Sequence, residues 1–139
     1  MKRALLAAAL IAPTACRAPA AKESPMPQFA ILMYETNDAW HRKPQAEKDA
    51  LMQRYIAWVK ELRASGAFKD GSPVGRGGTV LAQDASGGVR ATPIDVNAEL
   101  LTGYFIIEAR DLAHAEELAR GCPAIGHGET VQVRPIGHD

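Results

Sequence analysis

The side chains able to carry chemistry in this sequence are few. They are His41, His114, His127 and His138, the two cysteines Cys16 and Cys122, and some Tyr, Asp and Arg residues beside apolar segments. Histidine changes charge near neutral pH and is the natural acid–base or metal candidate. His127 stands out because Gly126 and Gly128 flank it just before the last strand-like segment, where a loop can present a ring to a cleft. His41 lies in a polar loop, His114 in the first turn of a helix away from its apolar stripe, and His138 in the tail. His114 and His138 read as solvated. Arg134 alternates away from Val131 and Val133, and its fixed donor fork suits either a carboxylate across a dimer or an anionic ligand. Tyr55 and Trp58 fall on or beside a helical apolar stripe, where aromatics are usually core. Tyr55 is also the polar handle best placed to reach a pocket between helix and sheet.

Other patterns point away from specific chemistries. No pair of His, Cys, Asp or Glu has CxxC or HExxH spacing, so neither a metal nor another cofactor is expected. Gly75-Arg-Gly77-Gly78 lacks a strand before it and a helix after it, and reads as a loop rather than a phosphate cradle. There is no Gly-x-Ser-x-Gly elbow. Cys122 reads as a small buried hydrophobe, with a reactive thiol as the alternative. The 139 residues carry 16 Lys+Arg against 16 Asp+Glu and are 47% hydrophobic, which describes one folded domain with no basic excess for nucleic acid.

The first residues do not belong to that domain. Lys2 and Arg3 precede the apolar run from Ala4 to Ala12 and a small-residue exit, the description of a secretory signal. Pro13-Thr14-Ala15-Cys16 resembles a bacterial lipobox, which makes Cys16 the candidate lipid-bearing residue. Ala18-Pro19-Ala20 is the rival site for ordinary signal peptidase. The expectation is a signal over 1–16, an Ala/Pro-rich tether over 17–27, a domain over 28–136 and a tail over 137–139. The protein is then exported, to the periplasm or as a lipoprotein whose membrane contact is the N-terminal lipid alone. Cleavage removes Lys2 and Arg3 and leaves the mature chain slightly acidic.

Hydrophobic periodicity supplies the elements that would position these residues. Phe29–Tyr34 is a continuous apolar strand. Leu51, Tyr55, Val59 and Leu62 define a helix over 45–64, stopped by Ser65-Gly66. Phe68–Gly78, rich in Gly and containing Pro73, reads as a loop with at most a short strand at its start. Thr79–Gln83 and Val89–Thr92 read as strands around the turn Asp84–Gly88, and 93–102 as irregular. A strand over Gly103–Ala109, a helix capped by Asp111 and an alternating strand Thr130–Arg134 complete the chain. The β-α-β-β-α-β order predicts an α+β, ferredoxin-like sandwich. Two helices cover one face of such a sheet, yet two of its strands are apolar on both faces. The second sheet of a homodimer is the simplest cover.

The order and spacing of Phe29-Ala-Ile-Leu-Met-Tyr34, Tyr55-x-x-Trp58-x-x-x-Leu62-x-x-x-Gly66, Thr79-Val-Leu, Gly103-Tyr-Phe-Ile-Ile, Cys122-Pro123 and Val133-Arg-Pro-Ile136 resemble YCII-related proteins, most closely the branch named for its Asp-Gly-Pro-Phe motif. The resemblance implies a dimeric α/β barrel. No Asp-Gly-Pro-Phe stands in this chain, and Asp95 is the available substitute for its carboxylate. A better-known branch pairs a helix His with an Asp before Pro as proposed catalytic residues. Tyr55 and Cys122 occupy those places here. The expectation is therefore a small-molecule-binding domain with Tyr55, Asp95, His127 and Arg134 as candidate ligand-binding residues. The alternatives are an isomerase- or lyase-type enzyme on a small polar metabolite, and a ligand-free interaction module at the envelope.

Overall fold

The computed structural model describes residues 25–137. The expected signal with Cys16, most of the expected tether and His138 lie outside the described residues.

Six strands and three helices follow in the order β1 (Gln28–Glu35), α1 (Ala39–Arg42), α2 (Gln45–Ala64), β2 (Phe68–Pro73), β3 (Thr79–Gln83), β4 (Val89–Pro93), β5 (Leu100–Glu108), α3 (Leu112–Ala119) and β6 (Glu129–Pro135). The main sheet has the order β2-β5-β1-β6, with every neighbouring pair antiparallel. Set the β3–β4 hairpin aside and the remaining elements are the expected β-α-β-β-α-β, ferredoxin-like sandwich.

α2 begins after Pro44, whose fixed φ suits a helix start, and ends where Gly66 takes a φ of +78° that other residues rarely adopt. Asp111 caps α3 by accepting from the His114 backbone N–H at 2.8 Å. Both helices lie on one face of the sheet. Trp58 and Leu62 of α2, with Ala115 and Ala119 of α3, close a core over Phe29, Ile31, Met33 and Ile107. Ile31 and Ile107 are fully buried, and each such side chain contributes about 1.5–3 kcal/mol by leaving water. Because side chains alternate along a strand, Ala30, Leu32 and Tyr34 point to the opposite face, where they are only half-buried.

Two expectations about the elements need correction. The second strand of the sheet is β2, not the segment starting at Thr79. Gly71 and Pro73 made Phe68–Pro73 look like a loop, but both have structural reasons to be in this strand. A Cβ on Gly71 would lie 2.4 Å from the Phe105 ring on the neighbouring strand, so the glycine admits that ring. Pro73 ends an edge strand, where a missing N–H breaks no ladder. The segments 79–83 and 89–93 form a separate two-stranded sheet, with Leu81 67% and Val89 75% exposed. Their strand-like pattern was right for local structure and wrong for membership of the main sheet. The other correction is that β5 starts at Leu100, inside the stretch expected to be irregular. Its register against β1 slips between Met33 and Tyr34, leaving Thr102 as an extra residue opposite that step. Such a bulge turns a side chain out of the normal alternation and hides the strand's period.

Candidate functional site

A cavity of about 650 Å³ opens on the helix-covered side of the sheet, between α2, the end of β2 and the loop that follows it. Met33, Met52, Phe105 and Trp40 supply apolar walls, and Glu35, Tyr55, Arg76, Thr102 and Glu129 supply the polar groups. A mostly apolar hollow with a few convergent polar groups is the usual form of a small-molecule site.

The polar groups arrive through strand ends. Glu35 closes β1 in the same alternation as Phe29, Ile31 and Met33, so it falls on the core side and is 2% exposed. A buried carboxylate needs partners. Its Oε1 accepts from the Trp40 backbone N–H at 2.9 Å and from Arg76 Nη1 at 3.3 Å. Arg76 also reaches the Val96 carbonyl at 2.6 Å with Nη2 and Asp38 Oδ1 at 3.4 Å with Nε, and so ties three segments to the cavity rim. Between Glu35 and Trp40 the chain turns through Asn37 and Asp38, both in the left-handed region at φ 58° and 56°. Two consecutive non-glycine residues there are uncommon, and Glu35 and Arg76 hold the ends of that turn in place.

Glu129 opens β6 and stands opposite Glu35 in the ladder. Thr102, turned inward by the bulge, has its hydroxyl 3.0 Å from Glu129 Oε1 and 3.2 Å from the Met33 carbonyl. The Tyr55 hydroxyl lies 3.4 Å from Glu129 Oε2 and 3.5 Å from the Met33 sulfur. Burial and the nearby Glu35 charge push the Glu129 carboxyl above the ordinary glutamate range, and the Thr102 hydrogen bond pulls it partly back. Burial and the Glu129 charge raise the Tyr55 hydroxyl as well, so it acts as a neutral hydrogen-bonding group. The Tyr55 ring stacks on Phe105 at 6.3 Å between centroids, and Trp58 meets Phe105 edge-on at 5.0 Å, fixing the cavity floor to the core.

The structure places the four candidates in different surroundings. Tyr55 lines the cavity. His127 lies behind Glu129, half-buried, with its Nε2 2.7 Å from Arg54 Nη1. Asp95 is exposed and accepts from the Asn97 backbone N–H at 2.9 Å, which fixes a turn. Arg134 is exposed on the outer face, opposite Ala30. His41, read as a loop residue, sits in the single turn of α1 beside Asp38 and reaches the cavity rim. Cys122 is 2% exposed and burial pushes its thiol up to about 11, the state of an unreactive thiol. Sequence reasoning missed Glu35, Glu129, Arg76 and Thr102. A signal for Glu35 was available, since it continues the alternation of the core-facing residues of β1. Among the described residues no group of three His, Cys, Asp or Glu could hold a metal ion.

A family model for the YCII-related domain matches residues 27–137, nearly all of the described chain. No curated protein matches it. The match agrees with the ferredoxin-like sheet built above, and the chain belongs to the YCII-related domain family.

Proposed function

We propose that this domain binds a small molecule in the cavity between α2 and the β2–β5 edge of the sheet. The observation that carries the reading is the convergence of Glu35, Glu129, Tyr55 and Thr102 in an otherwise apolar hollow of about 650 Å³, a size in the range of about 300–1,000 Å³ typical of ligand sites. The protein performing this task is exported through its N-terminal signal, anchored by a lipid on Cys16, and paired with a second copy through the open sheet face. Leu32, Tyr34, Tyr104 and Ile106 support the pairing, since they leave that face apolar and half-covered in one protomer. Native mass spectrometry of protein purified from its own membrane tests the set together. It should report an acylated N-terminus, a dimer and a retained small-molecule mass. A ligand-free species that also takes up nothing from a soluble metabolite extract would favour an interaction module at the envelope.

A second reading, an isomerase- or lyase-type enzyme, is favoured by one feature. Glu35 is held by Arg76, whereas burial pushes the Glu129 carboxyl upward. Two carboxyl groups in unlike surroundings are a means of dividing acid and base roles. Turnover of a bound carbonyl compound, followed by exchange of its C–H protons with deuterated water, would separate the enzyme from the binding protein.

A further inference from the structure

We propose that the cavity is built for an amine: the ammonium group of a small molecule seats between Glu35 and Glu129, and its apolar body lies against Trp40, Tyr55 and Phe105. The inference rests on the cavity being a small-molecule site and names the chemistry of its occupant.

The first support is the unused half of Glu35. Its side chain is 2% exposed, yet both of its hydrogen bonds fall on Oε1. Oε2 has no partner among the described residues, and no buried side-chain oxygen or nitrogen there is sealed off without one. That oxygen is therefore open to the cavity that Glu35 lines. A carboxylate oxygen held in place and left unpaired calls for a donor from outside the chain.

The second support is the charge balance. Three carboxyl groups, on Glu35, Asp38 and Glu129, face one guanidinium, that of Arg76, which Glu35 and Asp38 already share at 3.3 and 3.4 Å. His41 attaches to Asp38, and Arg54 attaches to His127 at 2.7 Å. Glu129 itself meets only the hydroxyls of Tyr55 and Thr102, with His127 behind it and Cys122 near Tyr55. No Lys or Arg among the described residues forms an ion pair with it. A cation between the two glutamates would relieve their repulsion and offset the burial that raises Glu129. An anion would meet both carboxyl groups with Arg76 already engaged. Trp40, Tyr55 and Phe105 line the same cavity, and their area suits an apolar body. Two facing carboxyl groups with hydroxyl neighbours fall short of the six or more oxygens of a calcium site, which leaves an organic cation as the better fit.

The test is calorimetric titration of the full chain near neutral pH with 4-phenylbutylamine, 4-phenylbutanol and 4-phenylbutyrate. The amine should bind at least about tenfold more tightly than the alcohol, with the carboxylate weakest. Glu129→Gln should remove most of the preference for the amine while alcohol binding persists. Equal binding of amine and alcohol, or tightest binding of the carboxylate, would overturn the inference and leave the cavity reading intact. Binding of none of the three would also overturn it. Uptake of a hydrophobic dye, blocked by Met52→Trp at the cavity mouth, would then show that the cavity reading survives, and absence of uptake would end both.

Discussion

Glu35 and Glu129 stand opposite each other in the β1–β6 ladder, on the face that the helices cover. Like charges directly across a ladder are destabilising. The chain resolves the conflict unequally. Glu35 is held by a backbone N–H and by Arg76, whereas Glu129 has only hydroxyl neighbours and its carboxyl is pushed upward. This pair is the centre of the cavity's polarity, and most of what can be tested follows from it.

Glu129 should make the protein less stable as pH rises. A carboxyl raised above 4.5 in the folded state holds its proton more tightly there than in the unfolded chain. That preference supports folding fully below about 4.5, the unfolded value, and is lost as pH climbs through the folded value. Glu129→Gln cannot ionise, so it should escape the loss. Melting temperatures of the two proteins across the acid-to-neutral range should diverge, with the variant gaining as pH rises. A constant difference would mean that Glu129 titrates normally.

Arg76→Met should be strongly destabilising, by about 2–4 kcal/mol in denaturant unfolding, because it strands a carboxylate that is 2% exposed. The double variant Glu35→Gln with Arg76→Met should cost less than the sum of the two single changes, since it removes the stranded charge. Simple additivity would show that the 3.3 Å pair contributes little.

What was legible in the sequence follows from how each segment is buried. α2 shows because one face carries Leu51, Trp58 and Leu62 into the core, and β1 because its apolar run is unbroken. β2 did not show. Four of its six residues are exposed at an edge, and Gly71 serves a neighbour's ring rather than a turn. The hairpin misled for the opposite reason, because it alternates like a sheet strand while nearly all of its residues are exposed in its own protomer. Tyr55 could be picked out as the polar atom on an apolar stripe. Glu129 and Arg76 could not, because their meeting depends on which strands pair and on a loop folding back over the end of β1. Thr102 depends further on a bulge, which alternation cannot announce.

The open sheet face predicts a dimer that one charge should break. Leu32 sits at its centre between Tyr104 on β5 and Gln132 on β6. Leu32→Arg would place a cation in the middle of the proposed interface while leaving the helix-covered core untouched. Light scattering at micromolar concentration should give a dimer for the unmodified chain and a folded monomer for the variant. A monomeric unmodified chain would refute the pairing.

Two glycines give the last prediction, because the same methyl group meets different resistance at each. At Gly71 an added Cβ lies 2.4 and 2.9 Å from two carbons of the Phe105 ring and 3.2 Å from the Tyr104 carbonyl. The ring cannot step aside, since Tyr55, Trp58 and Phe68 surround it. Gly71→Ala should therefore cost about 1–3 kcal/mol and alter the near-ultraviolet circular dichroism of the aromatic cluster. At Gly103 the closest atom is the Met33 methyl at 2.6 Å, the free end of a flexible side chain. Gly103→Ala should cost less, with Met33 swinging toward the cavity it lines and reducing the space for a ligand. The two variants should thus separate stability from binding: Gly71→Ala mainly lowers the melting temperature, and Gly103→Ala mainly weakens uptake of a hydrophobic dye. Equal stability losses with no change in dye uptake would mean that Met33 does not shape the site.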